Sequence, residues 1–136
     1  MNKYIFPAIF EQGEKEGYWI TFPDLPGCIT EGKTLEEGII MAKEVLELWI
    51  WGMEEDNENI PEATRPEDIE IEKGSFIVPV LVNMVPVREE MNNKSVNKTV
   101  TLPYWMKKIA EENKINFSQI LQRGIIEHLN LSRKIR

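Results

Sequence analysis

Hydrophobic and polar positions change period several times along this chain, and each change predicts an element. From Val96 the side chains alternate, with Val96, Lys98, Val100 and Leu102 on one face of an extended segment and Asn97, Thr99 and Thr101 on the other. Pro103 ends that segment, because it has no N–H to donate and its fixed φ suits the first turn of a helix. The helix predicted next runs from Tyr104 to Asn113. Met106, Ile109 and Ala110 are spaced along one side of it and Lys107, Lys108, Glu111 and Glu112 lie on the wetter side, with Asn113 as a left-handed stop. Asn116-Phe-Ser-Gln119 has the form of a capping box. It opens a second helix from Phe117 to about Leu129, along which Ile120, Leu121, Gly124, Ile125, Ile126 and Leu129 form a broad apolar stripe.

The front of the chain reads differently. Lys3 to Phe10 is rich in aromatic and branched residues and predicts a strand, with Pro7 at an edge or bulge. Glu11 to Gly17 is a hairpin connection, Tyr18-Trp-Ile-Thr-Phe22 a second strand, Pro23-Asp-Leu-Pro-Gly27 a turn, and Cys28-Ile-Thr-Glu31 a third strand. A helix over Leu35 to about Met53 is capped by Thr34 with Glu37 three residues on. Leu35, Ile39, Ala42, Leu46, Trp49 and Met53 form its apolar face, widened by Ile50 and Trp51, a breadth that fits a sheet on one side and a partner on the other. Glu54 to Gly74 is an acidic connection broken by Pro61 and Pro66. Ser75 to Val82 is a fourth strand, and residues 88–95 are a polar hinge. The predicted class is α+β: residues 1–87, the hinge, and a module over residues 96–136.

One strand and two short helices in roughly forty residues bury too little surface to be stable alone, and a lone strand has nothing to pair with. Both difficulties vanish if two copies pair their strands into an antiparallel ribbon. Charge divides the chain at the same place. Residues 94–136 hold nine basic and three acidic side chains, net +6, whereas residues 1–93 hold seven basic and twenty acidic ones, net −13. The first sign suits a phosphate backbone and the second is repelled by it.

The run from Val96 to Leu129 resembles the ribbon-helix-helix DNA-binding fold, carried by Thr-Val-Thr-Leu-Pro and by Ile115-Asn-Phe-Ser-Gln. The resemblance implies that Asn97, Thr99 and Thr101 face base edges in the major groove. Lys98, the Asn116 cap and the N–H groups of Phe117 and Ser118 would hold phosphate. The front resembles the HicB-type antitoxins over most of residues 3–82, through Gly17-Tyr-Trp-Ile-Thr-Phe-Pro-Asp-Leu-Pro-Gly-Cys-Ile-Thr-Glu-Gly32, Thr34-Leu-Glu-Glu37 and Ala42-Lys-Glu-Val-Leu-Glu-Leu48. That resemblance implies a partial RNase H-like βββαβ fold, a HicA-like mRNA-cleaving toxin as partner, operator DNA as a second partner, and repression of the chain's own operon as a homodimer or higher oligomer. Asp24, Trp49 and Trp51 are the candidate toxin contacts. Trp49 also reads as core, and Asp24 as a turn former.

Little catalytic chemistry is available. Cys28 is the only cysteine and His128 the only histidine, so Cys/His zinc sites and internal disulfides are excluded, and His128 reads as a surface or dimer-edge residue. RNase H chemistry needs carboxylates converging on metal ions, and only Asp24 lies in the family's turn. No catalytic residue, metal or cofactor is therefore assigned, and the chain is read as a non-enzyme. The absence of a signal-peptide pattern, and of an apolar run of about 18 to 20 residues, predicts a cytoplasmic protein without membrane contact. The competing reading is a free-standing transcription factor whose first module senses a ligand or pairs with itself.

Overall fold

The structure, a computed structural model, describes residues 1–131. The last five positions of the expected 96–136 module lie outside them. The chain divides into two compact units, the first Met1–Ser95 and the second beginning at Val96.

The first unit is a four-stranded antiparallel sheet with helices against one face. Strands β1 (Lys3–Gln12), β2 (Tyr18–Thr21), β3 (Ile29–Gly32) and β4 (Phe76–Asn83) lie in the order β3-β2-β1-β4. The register is continuous, pairing Phe6 with Val80, Phe10 with Phe76 and with Ile20, and Trp19 with Glu31. Strand residues two apart share a face, so Phe6, Ala8, Phe10, Ile20, Val80 and Val82 point together into the core, all buried. Helix α1 (Leu35–Glu55) covers them with Gly38, Ala42, Leu46 and Ile50. Thr34 accepts a hydrogen bond from the Glu37 N–H at 3.1 Å, and the Glu37 carboxylate accepts one from the Lys33 N–H at 3.3 Å. The predicted cap is therefore present.

The buried face of α1 is turned from the expected one. Leu35 and Ile39 are exposed, whereas Gly38 and Ile50 are buried. The reason is a close backbone approach: a Cβ on Gly32 would stand 2.5 Å from Gly38 Cα, and one on Gly38 3.0 Å from the Phe10 ring. The helix seats itself on its glycine, not on its larger neighbours.

Residues Met84–Asn93 form helix α2, which takes in the last residues of the expected first module and most of the expected polar hinge over 88–95. Asn83 caps it by accepting from the Val85 N–H at 3.1 Å. Pro86 falls in the first turn, where a missing N–H costs nothing. Met84 and Val87 are buried and Met91 packs against the core. Arg88 ties this helix down: its guanidinium lies 2.7 Å from the Glu54 carboxylate and donates to Asn2 Oδ1 at 2.7 Å and to the Met1 carbonyl at 2.8 Å.

In the second unit, α3 (Tyr104–Glu112) and α4 (Phe117–Leu129) form as predicted. Asn113 is not the left-handed residue: it holds φ −90° while its amide donates to the Ile109 carbonyl, and Lys114 takes the positive φ of 50°. The segment from Val96 to Leu102, expected as a strand, forms none among the described residues. A single chain offers no second strand to complete a ladder. Among the described residues no helix is long and apolar enough to cross a membrane.

Candidate functional surfaces

The second unit has almost no interior. Among its described residues only Ala110 is buried. Met106 and Ile109 on α3, and Phe117, Ile120, Leu121, Ile125 and Leu129 on α4, are all exposed. Ile120, Leu121, Gly124, Ile125, His128 and Leu129 line an open apolar groove of about 490 Å³.

The segment before α3 keeps the predicted alternation although it is unpaired. Lys98, Val100 and Leu102 line a second groove of about 230 Å³ with Phe117, Ser118, Ile120 and Leu121. Asn97, Thr99 and Thr101 are exposed and do not line it. Asn116 caps α4 by accepting from the Gln119 N–H at 3.0 Å. The N–H groups of Phe117 and Ser118 belong to the first turn, which has no acceptors within the helix. Lys98 shares its groove with these two residues, so a cationic side chain and a helix N-terminus meet at one place. That arrangement suits an anion.

The first unit offers two further surfaces. Along the side of α1 away from the sheet, Ile40 and Leu48 are 51% and 56% exposed. Glu37, Glu44 and Glu47 lie on the same side at helical spacing, with half-buried Trp51 one turn on. Burial, opposed by Lys43 and reinforced by Glu44 and by Glu90 of α2, holds the Glu47 carboxyl above the usual glutamate range. The second surface is the uncovered face of the sheet, where Ile5, Trp19, Ile29 and Leu81 are exposed.

The three residues expected to touch a partner divide. Asp24 is occupied within the chain: its carboxylate accepts from the Thr64 N–H at 3.0 Å and from the Thr64 hydroxyl at 2.5 Å, pinning the long acidic connection to the β2–β3 turn. Trp49 is half-buried, and its ring lies where a Cβ on Gly27 would stand, 3.0 Å away. It serves packing. Trp51 is half-buried; its helical position lies opposite Ala42 and Leu46, yet part of its ring packs against the core. Sequence reasoning passed over Ile40, Leu48 and the uncovered sheet face. The apolar residues on both alternations of β1 and β4 were the available signal, since a strand with one wet face does not carry them.

A family model of a HicB-like antitoxin of bacterial toxin–antitoxin systems matches residues 6–123, most of both units. The chain belongs to the HicB-like antitoxin family. Members of that family are described as antitoxins of bacterial toxin–antitoxin systems. A HicB antitoxin of Photorhabdus laumondii is 41% identical over 56 residues, which cover 41% of this chain and 36% of that protein. An uncharacterised 14.9 kDa protein of Haemophilus phage HP1 is 37% identical over 79 residues, covering 57% of this chain and 59% of the other. The chain thus spans between a third and three fifths of these two relatives. Among solved structures, a toxin–antitoxin complex from Streptococcus pneumoniae is similar with a TM-score of 0.62 at 23% identity, covering 93% of this chain and 99% of that one. The antitoxin HicB of Burkholderia pseudomallei is similar at 0.54 and 21%, covering 93% and 98%. These likenesses show the fold, a mixed α+β architecture shared with HicB antitoxins.

Proposed function

We propose that this antitoxin binds and neutralises a HicA-like mRNA-cleaving toxin through its first unit, and represses its own operon by binding operator DNA as a homodimer through its second. The observation that carries the DNA half is that, among the second unit's described residues, only Ala110 is buried. The unit's apolar stripes are exposed in one chain, and a second copy would cover them while completing a two-stranded ribbon from the Val96–Leu102 segments. Asn97, Thr99 and Thr101 would then project toward base edges, and Lys98 with the N-terminus of α4 would sit against phosphate. On this reading the second unit is half of a ribbon-helix-helix, and the sheet with α1 is a partial RNase H-like domain.

The toxin half is supported by family membership and by the similar Streptococcus pneumoniae structure, which is of a toxin–antitoxin complex. The outward side of α1 supplies the surface. Ile40, Leu48 and Trp51 give it an apolar centre, and Glu37, Glu44 and Glu47 a charged margin that fits a basic, RNA-gripping protein.

Two measurements on the full chain test the proposal. Co-expression with the small basic protein encoded beside it relieves that protein's growth arrest. Gel-shift titration of the upstream fragment shows binding that Thr99→Ala weakens by about 1–3 kcal/mol at the operator, with little loss on unrelated DNA. Failure of the rescue removes the toxin half. Equal loss on every sequence removes base reading. Operator binding without any rescue favours the free-standing transcription factor.

A further inference from the structure

Helix α1 carries two glycines, and they are not alike. Gly38 is demanded from within, because an added Cβ would stand 3.0 Å from the Phe10 ring and 3.2 Å from Ile20 Cδ1. Gly52, in the last turn, answers to nothing inside the fold. A Cβ there would meet no atom within 4 Å beyond its own helix turn. Nor does Gly52 end the helix with a left-handed backbone, since Asn57 takes that conformation with φ 54°. Glycine inside a helix weakens folding by roughly two- to fivefold relative to alanine. Nothing internal offsets that loss. What the missing side chain does create is a groove. Gly52 lines an open depression of about 280 Å³ at the C-terminal end of α1, together with Leu48, Trp49, Met53, Asp56 and Glu58. Trp49 and Met53 are packed inward against the core and are only half-buried, while Leu48 is exposed and also belongs to the outward side of α1. Asp56 and Glu58 are exposed, no basic residue lines the groove, and the last turn of α1 holds no basic residue to meet its own carbonyl end.

We propose that this groove receives a bulky apolar side chain of the toxin, flanked by a lysine or arginine, with the toxin's backbone drawn close to α1 over Gly52. The proposal rests on the toxin reading of the first unit and goes beyond it by naming the point of insertion and the chemistry that fills it. Three features of the groove select that occupant. Its walls, Leu48, Trp49 and Met53, suit a side chain that gains by leaving water. Its rim carboxylates, with the uncompensated carbonyl end of the helix, suit a cation beside that side chain. Its missing Cβ suits a close approach of another backbone, which is the use of glycine that remains once packing and helix termination are removed. A second copy of this chain fits worse, because its residues 1–93, at net −13, would bring carboxylates against carboxylates.

Calorimetric titration of the full chain with the purified small basic protein encoded beside it tests the proposal, and Gly52→Ala gives a signature that misfolding cannot imitate. The alanine strengthens the helix, so the melting temperature rises by a few degrees, whereas the affinity for the partner falls roughly tenfold. Gly52→Leu, which fills the groove, weakens binding about a hundredfold with the circular dichroism spectrum unchanged. Asp56→Lys/Glu58→Lys weakens binding about tenfold and flattens its dependence on salt. A Gly52→Ala chain that is more stable and binds as tightly as the wild type overturns the proposal and leaves the toxin reading intact. A wild-type chain that does not bind the basic protein overturns both. A melting temperature that falls in Gly52→Ala shows that the fold itself needs the glycine, and the proposal falls. If Gly52→Ala alters the mass of the chain's own assembly and not its affinity for the partner, the groove belongs to a second copy and the proposal is again overturned.

Discussion

At the scale of single residues, Gly32 and Gly38 decide how α1 meets the sheet. An added Cβ at Gly32 would stand 2.5 Å from backbone atoms of Gly38, which cannot swing aside as a side chain does. Gly32→Ala is therefore expected to cost about 1–3 kcal/mol, by the general penalty for overpacking, measured as a lower urea midpoint with an unchanged slope. Glu47 gives a second prediction, in pH. Its carboxyl is raised in the folded state, chiefly by burial, with Glu44 and Glu90 adding and Lys43 opposing. A group so raised supports folding fully below its unfolded pKa and loses that support as pH rises through the folded value. At neutral pH the charge is a burden. Glu47→Gln should raise the melting temperature at pH 7, and the advantage should vanish as pH falls below the ordinary glutamate range. Cys28 is buried with its thiol pushed up to about 12, so it is inert and its place in the motif is one of packing.

At the scale of elements, the four strands of the sheet and α1, α3 and α4 were legible because each carries its own period, with side-chain caps opening α1 and α4 and a proline opening α3. The strand expected over Val96–Leu102 has no partner in one chain and does not form. Helix α2 was hidden because Val85-Pro-Val87 carries no helical signal of its own and the polar run from Arg88 to Ser95 reads as a hinge. Only the Asn83 cap and the spacing of Met84, Val87 and Met91 betray it. The Asp24 contact was illegible for another reason: its partner Thr64 lies forty residues away, and no local rule joins them. Asp24→Ala removes both hydrogen bonds. It should cost about 1 kcal/mol and speed hydrogen exchange at the Thr64 amide, while exchange in β1 stays as it was. An effect confined to toxin binding, with Thr64 exchange unmoved, would instead return Asp24 to the partner surface.

At the scale of the whole molecule, the division of charge was plain in the sequence, which also raises the expectation that a tail of one strand and two short helices buries too little surface to stand alone. The surfaces were less so. Alternation located Asn97, Thr99 and Thr101 opposite the groove lined by Lys98, because a period of two needs no tertiary information. It left Ile40 and Leu48 undistinguished from core, because a helix apolar on two sides does not declare which side meets the sheet. An obligate pairing of tails has a thermodynamic signature. The unfolding midpoint of the second unit should rise with protein concentration, while that of the first, with its own core, should stay nearly constant. A midpoint independent of concentration for the tail would mean that it folds unaided.

That solitary alanine inside the second unit, Ala110, carries a cellular consequence. A segment that holds its shape only in company is open to proteases whenever copies are scarce, and shielded when they are plentiful. The lifetime of this antitoxin would then lengthen as its own abundance grows, so that a brief halt in synthesis removes the protection faster than simple dilution would.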